Sequence, residues 1–136
     1  MHTTNYVDTF IAVAPDSPVE SATEPAHREQ PTIAQLHYEL IAGHPYRYTS
    51  DDVLFETHAR RAGVPEEERA AARAAFFSKG QPCLRSSPLG KRLGWGTHHD
   101  AEGRVAVVAV ESEEYTRLIA DPSLTQTRAM RSSRAR

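Results

Sequence analysis

One cysteine, Cys83, stands in the whole 136-residue chain, which excludes an internal disulfide. A lone thiol suits a reducing cytoplasm. No apolar run approaches the roughly 20 residues needed to cross a bilayer as a helix. The opening residues, MHTTNYVDTF, have neither the basic stretch nor the apolar core of a secretory signal, so a cytoplasmic protein is expected. There is no internal repeat, and no glycine spacing fits a P-loop or a dinucleotide fingerprint. With no motif of high specificity, function has to be sought in weaker patterns.

What is present fits one α+β domain over residues 1–127, followed by a basic tail at 128–136 that is expected to fray. The net charge of −2 conceals a split. Residues 1–56 hold nine acids against two arginines, whereas 57–136 hold nine acids against fourteen basic residues. Such a division means either an anionic partner for the basic half or two halves that pack on each other. The tail arginines offer phosphate contacts, but no nucleic-acid module accompanies them and nucleic acid is not an expected partner.

Residues 5–14 (NYVDTFIAVA) are rich in β-branched and aromatic side chains and predict a strand partly covered on both faces. The acidic, proline-punctuated stretch 16–31 predicts a mobile loop. A first helix starts at Thr32, with Gln35 completing a capping box, and carries Ile33, Leu36, Leu40 and Ile41 on one stripe. Gly43 is expected to supply a left-handed cap before Pro45. A second helix is capped by Thr49 with Asp52 and ends at Gly63; a third begins at Pro65, and the short turn between them predicts an antiparallel pair. Residues 82–87 suggest a short edge strand. Segments 92–99 and 104–110 form the clearest hairpin, turning through Asp100-Ala-Glu-Gly103. Ser112 caps a last short helix. The order β-α-α-α-(β)-β-β-α predicts an antiparallel sheet of three or four strands with helices on one face.

The stretch 79–100 (KGQPCLRSSPLGKRLGWGTHHD) concentrates chemistry: the cysteine, the single tryptophan, both lysines of the chain and two adjacent histidines. Lys79, Arg85, Lys91 and Arg92 bring four positive charges with no acid before Asp100. With Ser86, Ser87 and nearby glycines, these residues have the composition of an anion site, although a solvated basic loop reads the same way. Cys83 near Lys79 and Arg85 is a candidate nucleophile; it is equally a small buried hydrophobe. His98 and His99 point to opposite faces of a strand and cannot readily share a metal, so no metal site or cofactor is expected. His98, His99 and Asp100 are candidates for acid–base work. Tyr46 and Tyr48, on the connection HPYRY between the first two helices, and Trp95 either shape a ligand pocket or anchor the core.

In HPYRYTSDDVLFETHA (44–59) and FFSKGQPCLRSSPLGKRLGWGTHHDAEGR (76–104), the chain resembles a family of small bacterial proteins known only as a domain of unknown function. The resemblance runs from NYVDTFIAVAPD to RAMRSSR, nearly the whole length. It implies one complete domain in which the loop at 16–31 is peripheral. It also implies that the position of Gly90 varies, which weakens a phosphate-loop reading centred there, and it brings no activity or catalytic residue with it.

Together these readings lead to a small anionic ligand or metabolite bound between 79–99 and the 44–48 connection. Lys79, Arg85, Lys91 and Arg92 would neutralise it and Tyr46, Tyr48 and Trp95 would wall it. The alternatives are a small enzyme using Cys83 or His98/His99, and an interaction module that dimerises through a sheet edge.

Overall fold

Strand pairing places the two ends of the chain side by side in one mixed sheet. The computed structural model describes residues 1–133, with five helices and four strands among them. The strands are β1 (Thr9–Ala12), β2 (Trp95–His99), β3 (Val105–Ala109) and β4 (Thr125–Arg128), in the spatial order β3-β2-β1-β4. The hairpin β2–β3 forms as its turn predicts. Gly103 takes φ +80° and donates its N–H to the Asp100 carbonyl, while the Asp100 carboxylate accepts from the N–H groups of Glu102 and Arg104, each at 2.9 Å.

The expectation of a purely antiparallel sheet is corrected at its other edge. β4 runs parallel to β1, with Thr9 opposite Thr125 and Ala12 opposite Arg128. Its sequence, TQTR, is polar and mostly exposed, so no apolar alternation announces it. Nor is the chain free over residues 128–133. Ala129 is buried and its N–H reaches the Ala12 carbonyl at 2.8 Å, Met130 donates to the Arg85 carbonyl, and the N–H groups of Ser132 and Ser133 meet the Asp16 carboxylate. The remaining tail arginines, Arg134 and Arg136, lie outside the described residues.

Helix caps explain the α-helical boundaries. α1 (Ile33–Ala42) starts where Thr32 accepts the Gln35 N–H. The Gln35 side chain does not close the box; it accepts the Arg28 N–H instead and so ties down the end of the 16–31 loop. Gly43 is right-handed, φ −74°, correcting the expected left-handed cap, and Pro45 ends the helix. α2 (Ser50–Ala62) has the full Thr49–Asp52 box and a left-handed Gly63. A 3-10 turn at Glu66–Glu68 leads into α3 (Arg69–Phe76). Two ion pairs across α2 and α3, Glu56–Arg69 and Asp52–Arg73, run in opposite chain directions, as an antiparallel pair requires.

Residues 82–87 are not a strand. Proline at 82 and 88 removes two ladder donors, and the chain instead makes a 3-10 turn (Leu84–Ser86) and a short helix α4 (Pro88–Lys91), with Ser87 as cap and Pro88 at its first position. The last helix, α5 (Glu113–Ile119), is capped by Ser112 as expected.

Helices cover both sheet faces, not one. On one side Ile11 and Val105 pack with Leu40, Ile41, Val53, Leu84 and Leu89 from α1, α2 and the 84–91 segment. On the other, Phe10, Ala12 and Val108 pack with Tyr115 and Leu118 of α5. Gly96 makes this second core possible: a Cβ there would lie 2.8 Å from the Phe10 ring and 2.9 Å from that of Tyr115. Those two rings meet edge to face, centroids 5.1 Å apart.

The loop 16–31 has no regular structure but is stitched to the body. Thr23 donates its N–H to the Leu93 carbonyl and accepts Trp95 Nε1–H at 2.9 Å, and the Ala22 N–H meets Glu111. At the N-terminus the buried Asp51 carboxylate accepts from the Thr3 hydroxyl and from both the N–H and hydroxyl of Thr4. Among the described residues, no helix is long and apolar enough to cross a membrane.

Candidate functional site

α1, α2, the end of α3 and the 81–88 segment line an open cavity of about 570 Å³. Its walls are built by helical spacing. Ile33 and His37 are one turn apart on α1; Leu54, Thr57, His58 and Arg61 recur at three- and four-residue steps along α2. Phe76, Pro82 and Pro88 complete the apolar surface, and Cys83, Ser86 and Ser87 contribute polar atoms.

The site is graded from floor to rim. At the floor His37 and Ser87 are both 3% exposed, and His37 Nδ1 lies 2.9 Å from Ser87 Oγ. Burial pushes the His37 pKa down to about 4, so the ring is neutral near pH 7. Ser87 Oγ also accepts the Leu89 N–H as the α4 cap, so one hydroxyl joins the histidine to the start of that helix. Beside them the Cys83 Sγ shares a 3.1 Å hydrogen bond with the Tyr6 hydroxyl. Burial, then the Cys83 contact, push the Tyr6 pKa up to about 12, which keeps the phenol protonated. At the rim, by contrast, His58 and Arg61 are exposed. The His58 ring stacks on Phe76 with centroids 4.8 Å apart.

Of the candidate site residues singled out in the sequence, Cys83, Ser86 and Ser87 line this cavity. Lys79 is exposed in the turn after α3; Lys91 closes α4 and Arg92 follows it. Arg85 Nε donates to the Arg128 carbonyl at 2.7 Å and so clasps the end of β4. The 44–48 connection, against which a pocket was expected, pairs with the sheet edge. Tyr46 donates its N–H to the Val105 carbonyl and Tyr48 accepts the Val105 N–H, each at 2.9 Å. Tyr48 and Trp95 pack on the larger core, with Trp95 5.2 Å from the Tyr38 ring.

The two histidines do take opposite faces. His98 lies on the α5 side, its Nδ1 2.8 Å from the hydroxyl of Tyr46, a residue held at φ +58°. His99 is fully buried on the α1–α2 side, with Nε2 3.1 Å from Thr97 Oγ1 and Nδ1 without a partner. Burial first, then His98, lower its pKa to about 4. Asp100 is committed to its turn. Among the described residues, no three His, Cys, Asp or Glu side chains converge as a cation cage would require.

Sequence reading missed His37, Thr57, Arg61 and Phe76, and weighed His58 only as a distant partner of His98 and Asp100. The available signal was the stripe 54, 57, 58, 61, too polar for a core face and too apolar for a solvated one. No curated protein and no solved structure matches the chain. Over residues 1–135 the sequence matches the Family of unknown function (DUF6157), and the chain belongs to that family.

Proposed function

We propose that this protein binds a small, mainly apolar molecule in the cavity between α1, α2 and the 81–88 segment. The observation that supports it is the cavity itself, about 570 Å³ of mostly apolar wall with a few polar groups converging on it. That is the usual make-up of a small-ligand site. The reading keeps the expected ligand size and moves the place: Cys83, Ser86 and Ser87 of the 79–99 stretch take part, and its four cations do not. A cytoplasmic setting agrees with the single free thiol.

A thermal-shift screen of apolar and aromatic metabolites tests it. A ligand at 100 times its Kd stabilises the fold by about 2.7 kcal/mol. Such a compound is also expected to shield Cys83 from a small alkylating agent. Both effects should vanish in Ala62→Trp, where an exposed rim position is filled without touching the core. A stabilising ligand that still binds Ala62→Trp, or that leaves Cys83 fully reactive, places binding elsewhere and refutes the reading.

A further inference from the structure

The distribution of charge around the cavity points to a class of ligand, an inference that rests on the function proposed above. At the floor His37 is neutral by burial and Ser87 is an uncharged hydroxyl, and Cys83 is hydrogen-bonded to the protonated phenol of Tyr6 behind the wall. Other lining polar atoms already have partners. Thr57 Oγ1 bonds the Val53 carbonyl, Gln81 Nε2 the Phe76 carbonyl, and Ser86 Oγ the Met130 sulfur. A charged group carried into the floor would meet no counter-charge and would lose its hydration. The floor suits an uncharged body.

The rim is different. Arg61 is exposed and lines the cavity mouth, and no carboxylate lies within ion-pair distance of it among the described residues. Its neighbour Arg60 is spent on Glu56 at 2.9 Å. Arg61 also borders a second cavity of about 600 Å³ that carries Glu29 and Glu39, whereas the first cavity has no acid in its lining. His58 flanks it one helical turn back, its ring parallel to Phe76 at 29°. An unpaired fork of N–H donors at the mouth of an apolar cavity is complementary to a single carboxylate or sulfonate.

We infer that the ligand is an amphipathic monoanion: an apolar or aromatic body between α1, α2 and the 81–88 segment, with its acid group at the rim against Arg61.

Two fluorescent dyes with one aromatic body separate the possibilities in titrations of the full chain. 1-Anilinonaphthalene-8-sulfonate carries the anion; N-phenyl-1-naphthylamine lacks it. The sulfonate is expected to bind at least about tenfold more tightly, as a charge-assisted hydrogen bond implies. In Arg61→Gln the two dyes should bind alike, and in Arg60→Gln the preference should persist. Equal affinities in the native protein, or a preference that survives in Arg61→Gln, overturn the monoanion while leaving the cavity reading in place. Binding of both dyes that Ala62→Trp does not weaken overturns the cavity reading itself.

Discussion

His37 and His99 are buried bases with no carboxylate partner, and each is kept neutral by what surrounds it. Their pKa values near 4 compare with about 6.5 in an unfolded chain. Between those values the unfolded chain binds two protons that the folded chain refuses. Stability is therefore full above pH 6.5 and falls as pH drops toward 4, by on the order of 3 kcal/mol for each histidine. Glu56, held below the usual carboxylate range first by its Arg69 hydrogen bond, acts in a lower window. His99→Met isolates one of the two, because it removes the titratable ring while nearly conserving volume, with loss of the Thr97 hydrogen bond. Urea midpoints at pH 7.5, 6 and 5 should show a shallower acid loss in the variant, with stability at pH 7.5 within about 1.5 kcal/mol of the native protein. An unchanged slope would show that His99 does not titrate in this way.

Among the elements, β2 owes its place to Gly96. Alanine there would press on the Phe10 and Tyr115 rings, and neither can retreat from a filled core. Gly96→Ala is expected to cost about 1–3 kcal/mol, read as a lowered Tm in calorimetry. A Tm equal to the native value would mean that α5 yields. Elements specified by neighbours in sequence were legible: the Thr49–Asp52 box, the Ser112 cap and the Asp100–Gly103 turn all sit where their residues predict. β4 was not, because what makes TQTR a strand is β1, which lies 116 positions earlier. The site was legible only in Cys83, Ser86 and Ser87. His37 and Arg61 stand on different helices, and nothing in either helix says that the two stripes face each other across a void.

At the scale of the molecule, the charge split resolves into internal packing. Strand β1 of the acidic half is inserted between β2 and β4 of the basic half, and Asp52 and Glu56 pair with Arg73 and Arg69 across the division. Part of the apparent polarity of the chain is thus spent on itself, while Arg61 at the cavity mouth has no such partner.

The central position of β1 also has a kinetic consequence. The hairpin β2–β3 closes locally, but Thr9–Ala12 finds its partners only across loops of about 90 and 116 residues. The first strand to emerge in synthesis is therefore among the last to be enclosed, and until then four apolar-rich residues expose two bare edges. Refolding yield is expected to fall with protein concentration. Ending the chain after Leu124 should make that loss permanent, seen as rising light scattering of the shortened protein beside a clear full-length control. A shortened chain that stays monomeric would show that one bare edge of β1 is harmless.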